Sequence, residues 1–133
     1  MKGIVADTHT FLWYLFEPQR LSSAASQSIE NALKAGGAIY ISAISLIETV
    51  YLSEKGRLPS TIPNRLNSIL QSSGSEFKVI SVSESIAQAL RSIARNTVPD
   101  MPDRIIAATA LEMKLPLVTR YRKIQATQIT TIW

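Results

Sequence analysis

Four acidic residues stand out by where they fall. Asp7 closes the apolar run KGIVA, Glu48 follows the run AIYIS, and Asp100 and Asp103 open the stretch PDMPDRIIAATA. Carboxylates brought together from separated segments repel one another unless a divalent cation neutralises them. Such a cation acidifies water and offsets charge during in-line displacement at a phosphodiester. Each acid also has a structural reading. Asp7 can cap a helix after the first strand, and Asp100 can cap the next with Asp103 one turn on. Ser45 and Glu48 fit a capping box if their helix starts at Ser45. Ser42 is an equally good cap and leaves Glu48 in the second turn. Its helical neighbours there are Ile44, Ile47 and Tyr51, so it lies within or beside an apolar stripe, where an ionised carboxylate needs a compensating partner.

The elements that must carry these acids alternate along the chain. Short apolar runs predict strands at 2–6, 38–42 (AIYIS), 77–82 (FKVISV), 115–119 (LPLVT) and 128–133 (QITTIW). Between them the spacing predicts helices in THTFLWYLFE up to Pro18, SSAASQSIENALKAGG, AISLIETVYLSEKG, IPNRLNSILQSSG, SESIAQALRSIARN, and 100 to about Lys114. The loop RLPSTIP is the segment expected to be flexible. Strands alternating with helices make a parallel sheet covered on both faces. In such a sheet ligands bind beyond the carboxyl ends of the strands, where all four acids fall.

Composition narrows the chemistry. A chain of 133 residues, 46% hydrophobic and 18% charged, suits one globular domain over 1–133. No apolar run approaches the roughly 18–20 residues that span a bilayer. Asp7 and His9 interrupt the apolar N-terminal stretch and no small-residue cleavage site follows, so a cytoplasmic protein is expected. The absence of cysteine excludes disulfides, thiolate metal sites and cysteine nucleophiles. A lone histidine, His9, reads as a surface or capping residue. Any metal is therefore held by oxygen, which selects a hard cation such as Mg²⁺ or Mn²⁺. A net charge of +4 and a pI near 9.6 are compatible with a polyanionic partner. No Gly-rich phosphate loop is present, so a nucleic acid fits better than a nucleotide. A receiver-type phosphoacceptor domain also gathers acids at strand ends, but here they come from a helix interior and a late helix start.

In order along the chain, IVADTHTFLWYL, YISAISLIETVYL, DMPDRIIAATA and LPLVTRYRKI resemble successive motifs of the PIN-domain family, and within it the VapC-type toxin ribonucleases of type II toxin–antitoxin pairs. The resemblance covers nearly the whole chain. It implies a PIN-like three-layer α/β sandwich with a parallel sheet of about five strands. It also implies Mg²⁺- or Mn²⁺-dependent cleavage of RNA, a homodimer, and inhibition by a cognate VapB-type antitoxin. By the same resemblance Asp7, Glu48 and Asp103 are catalytic and metal-binding residues, and Asp100 is a further ligand or the cap of its helix. The acid that the family usually carries after L-V-T-R is replaced by Tyr121. That replacement keeps a second reading open, a PIN-like module that binds RNA or protein without cutting.

Two further expectations concern surfaces. Arg91, Arg95, Arg104, Arg120, Arg122 and Lys123 are the cations nearest the late acidic motif, and some of them are expected to contact RNA phosphates. The run TFLWYLF holds more apolar surface than one helix face needs. It is expected to form part of a groove for an antitoxin helix.

Overall fold

The computed structural model describes residues 2–72, 74, 76–124 and 127–133. Its strands are β1 (Gly3–Ala6), β2 (Ala38–Ser42), β3 (Phe77–Ile80), β4 (Leu117–Val118) and β5 (Thr131–Ile132). The helices are α1 (Thr8–Phe16), α2 (Ser23–Lys34), α3 (Ala43–Glu54), α4 (Ile62–Ser72), α5 (Glu84–Ala89) and α6 (Met101–Met113). The strands form one parallel sheet in the order β3-β2-β1-β4-β5. The expected α/β sandwich is therefore the observed fold.

Alternation along the central strands explains the three layers, because successive side chains point to opposite faces. Ile4 and Ala6 of β1 and Ile39 and Ile41 of β2 pack with Phe11, Leu12, Ala25, Ile29 and Leu66 from α1, α2 and α4. Val5, Ala38, Tyr40 and Leu117 face the other way, onto Ile86, Ile105 and Ile106 from α5 and α6. Helix α6 is buried from Ile105 through Ala110, so its entry at Asp100 is held firmly by the core. At the start of β1, Gly3 has φ +129°, and a Cβ there would lie 2.2 Å from the Ala38 carbonyl oxygen. Only glycine lets the first two strands approach this closely.

Several local expectations are revised. Helix α3 starts after Ser42, whose hydroxyl accepts from the Ile44 N–H, so the capping box on Ser45 does not form. The helix expected through SESIAQALRSIARN gives way to a 3₁₀ turn at Leu90–Ser92. Strand β3 is an edge strand with Lys78 and Val79 exposed, and it ends at Ile80. Only Thr131–Ile132 of the expected last strand pairs. The helix expected to run to Gly74 ends at Ser72 in the structure, and Ser73 lies outside the described residues.

Candidate active site

The sheet registers deliver the first acid. Pairing of Val5 with Leu117 and Ala6 with Val118 sets the ends of β1 and β4 side by side. The Asp7 carboxylate, nearly buried, accepts from the Thr119 hydroxyl through Oδ2 (2.5 Å) and from the Thr10 N–H through Oδ1 (2.9 Å). The capping reading of Asp7 is thus correct, and one of its oxygens is also tied to the neighbouring strand end. From α3, Glu48 Oε1 accepts from the Thr8 hydroxyl at 2.5 Å, and the same hydroxyl lies 2.8 Å from Ser45 Oγ. Of two adjacent residues at the β1–α1 junction, Asp7 therefore supplies one carboxylate and Thr8 holds another. Asp100 caps α6, accepting from the Asp103 N–H at 3.1 Å, with Pro102 in the first turn.

All four acids line one cavity of about 780 Å³, together with Tyr121, Arg120, Arg122, Lys123, His9, Trp13 and Arg20. Their fields overlap. The Asp103 carboxyl is pushed up to about 7, first by burial, then by the charges of Asp100, Glu48 and Asp7, and last by a hydrogen bond with Asp100. Glu48 is also raised, first by burial; the Thr8 hydroxyl and the charge of His9 oppose the shift, while Asp100 and Asp7 add to it. Burial and the nearness of Asp103 and Asp100 raise the Tyr121 hydroxyl. None of the four acids is in an ion pair: among the described residues the one ion pair is Arg20–Glu17.

The expected stripe around Glu48 is only half right. Ile44 is buried, but Ile47 and Tyr51 are 52% and 60% exposed, so they form surface and not core. The cations also divide. Arg104 donates from Nε to the Ile93 carbonyl and from a terminal guanidinium nitrogen to the Leu90 carbonyl, both at 3.0 Å, so it clamps the 3₁₀ turn to α6. Arg91 and Arg95 do not line the cavity; Arg120, Arg122 and Lys123 do. Residues that went unrecognised in the sequence include Thr8, Thr119, Trp13 and Arg20. His9, set aside there as a lone histidine, is exposed on the cavity wall.

A model of the PIN domain matches residues 4–128. The chain belongs to the PIN-domain family. A relative in the same family, "Ribonuclease VapC22" of Mycobacterium tuberculosis (strain ATCC 25618 / H37Rv), is 33% identical over the full length of both chains. The PIN fold is also shared with VapBC2 from Rickettsia felis bound to a promoter DNA fragment, at TM-score 0.70 and 19% identity over 97% of each chain. A toxin–antitoxin complex from Klebsiella pneumoniae matches at TM-score 0.67 and 24% identity, covering 98% of this chain and 97% of that one. Within this PIN domain no helix among the described residues is long and apolar enough to cross a membrane.

The donor set of the PIN domain's cavity is carboxylate oxygen, which suits a hard divalent cation. Among the described residues no three His, Cys, Asp or Glu side chains close into a metal cage.

Proposed function

We propose that this PIN domain, a single unit over 1–133, is a Mg²⁺- or Mn²⁺-dependent endoribonuclease and the toxin of a toxin–antitoxin pair, acting in the cytoplasm. The observation that carries the reading is the mutual repulsion of Asp7, Glu48, Asp100 and Asp103 around one cavity, with Asp103 held near pKa 7. Asp7, Glu48 and Asp103 are the catalytic residues, and Asp100 completes the metal ligands. A bound cation supplies the charge that acidifies water and offsets the phosphodiester's developing negative charge. The protein's own part is orientation: Thr119 and the Thr10 N–H fix the Asp7 carboxylate, and Thr8 fixes that of Glu48. The Asp103 carboxyl, pushed up to about 7, is only partly ionised at neutral pH, and positive charge entering the cavity would draw its proton off. Arg120, Arg122 and Lys123, which line the same cavity, hold RNA phosphates.

Two surfaces support the expected protein partners. A cavity of about 480 Å³ beside the first has an apolar floor of Leu12, Phe16, Leu58 and Ile62 and a rim carrying Arg57 and Arg65. It suits an amphipathic helix of a VapB-type antitoxin. Ile47, Val50, Tyr51 and Met101 are exposed together with partly polar surroundings on α3 and α6, which favours a homodimer across that face.

The test is RNA cleavage with Mg²⁺ or Mn²⁺ by the native chain and by Asp7→Asn. Metal-dependent cleavage lost in the variant is expected; equal, metal-independent cleavage by both would sink the proposal. Tyr121 on the cavity wall favours one other reading, RNA binding without cutting. Calorimetry separates the two, since that reading requires intact RNA binding with no Mg²⁺ or Mn²⁺ uptake.

A further inference from the structure

One part of the cavity lining, made by His9, Trp13 and Arg20, is built differently. Trp13 lies almost fully buried at its base. The His9 ring sits over it at a centroid distance of 5.7 Å, tilted by 51°. The Arg20 guanidinium carbon lies 4.6 Å from the centre of the same indole, and Trp133 packs against it at 5.8 Å. His9 and Trp13 are one helical turn apart on α1, and such a pair alone adds only a few tenths of a kcal/mol to a helix. Here, however, His9 is exposed, Arg20 is half-exposed, and both face the cavity that holds the acids.

We propose that His9, backed by Trp13 and edged by Arg20, is a stacking platform for one unpaired base of the RNA substrate, next to the phosphate being cut. The proposal rests on the ribonuclease reading for its choice of polymer. Its geometry comes from three adjoining surfaces. His9 follows Asp7 by two residues, so their backbones lie within about 7 Å, and both side chains line the same cavity. Phosphates are drawn to Arg120, Arg122 and Lys123, the scissile group to the acids, and the base to the planar groups of His9 and Arg20. Imidazole and guanidinium planes both stack on a base, and the contact tolerates any base because every base has a π-face. A paired base in a duplex hides that face, so the platform selects single-stranded segments and loops.

The experiment measures affinity in the Asp7→Asn background with Mg²⁺, so that RNA is bound and not consumed. The probes are a short single-stranded oligoribonucleotide, the same strand with one abasic position walked along it, and the corresponding duplex. The unvaried platform should prefer the intact strand over the weakest abasic strand by about tenfold, and over the duplex as well. His9→Ala should abolish the abasic penalty, and His9→Phe should restore it, since a phenyl ring stacks without imidazole chemistry. Tryptophan emission in a Trp133→Phe version, which leaves Trp13 as reporter, should be quenched by the intact strand and not by the abasic one. An abasic penalty unchanged in His9→Ala, or absent throughout, overturns the platform while metal-dependent cleavage by the native chain leaves the ribonuclease reading standing. Conversely, a penalty that depends on His9 supports the platform even if the native chain fails to cleave. Failure to bind any of the RNAs overturns the platform, and overturns the ribonuclease reading as well only where the native chain shows no metal-dependent cleavage.

Discussion

Replacing Asp103 by Asn should stabilise the metal-free protein. The carboxyl lies near 7 in the fold against an ordinary 3.8, because burial and three neighbouring acids disfavour its charge. A difference of that size corresponds to ~4 kcal/mol at face value. The group is only partly buried and solvent screens it, so about 1–2 kcal/mol is the expected effect. The sign follows from proton binding. Between about pH 4 and pH 7 the folded chain keeps a proton that the unfolded chain has released, so stability falls as pH rises through that window. Asp103→Asn removes this fall, leaving the smaller one from Glu48, whose carboxyl is also raised. Thermal unfolding in EDTA at pH 8 should place the variant about 3–8 °C above the native chain for a domain of this size. Near pH 3, where both carboxyls are protonated, the two proteins should converge. Mn²⁺ at pH 8 should then stabilise the native chain more than the variant. If Asp103→Asn melts at or below the native temperature at pH 8 with the pH slope intact, the proposed repulsion is not there.

Three other outcomes are expected. Tyr121→Asp adds a carboxylate to the cavity wall beside Asp103 and Asp100 and should tighten Mn²⁺ binding several-fold by calorimetry, with faster cleavage; no change in either would remove position 121 from the site. Arg122→Glu with Lys123→Glu should weaken RNA binding and lower the slope of log affinity against log salt by about 1.4, at roughly 0.7 per phosphate contact on a single strand. Thr119→Val removes the hydroxyl donor to Asp7 and leaves a buried carboxylate oxygen short of a partner. A loss of about 1–3 kcal/mol in urea unfolding is expected, together with slower cleavage.

The acids were legible in the sequence because strand ends and helix starts are marked locally, by apolar runs, Ser42, Pro102 and the prolines around Asp100. What surrounds them was not. Thr119 gains its role only when β1 pairs with β4, and a hydroxyl after an apolar run carries no signal of that pairing. Ile47 and Tyr51 obey the helical spacing of a core stripe, yet spacing cannot say whether anything covers the face they make. Arg104 is the same residue type as Arg120 and Arg122 but is spent on the backbone carbonyls of Leu90 and Ile93, at the 3₁₀ turn that follows α5. His9 was discounted as solitary because its partners, Trp13 and Arg20, are not metal ligands. The i, i+4 spacing of His9 and Trp13 was the available clue.

The position of β1 has a consequence for how the protein is made. The first strand to be synthesised is the middle strand of the sheet, and one flank stays open until Leu117 and Val118 exist. The hydrogen bonds that close it, Thr119 to Asp7 and Thr10 to the Val118 carbonyl, join residues 112 and 108 positions apart. Contacts so distant in the chain form late and all together, once the entropy of closing so large a loop is repaid by the core they complete. Domains fold as units when enough chain has emerged. A growing polypeptide therefore has no fixed carboxylate centre while it is threaded through the ribosome, and the centre is assembled in the same step that seals the sheet.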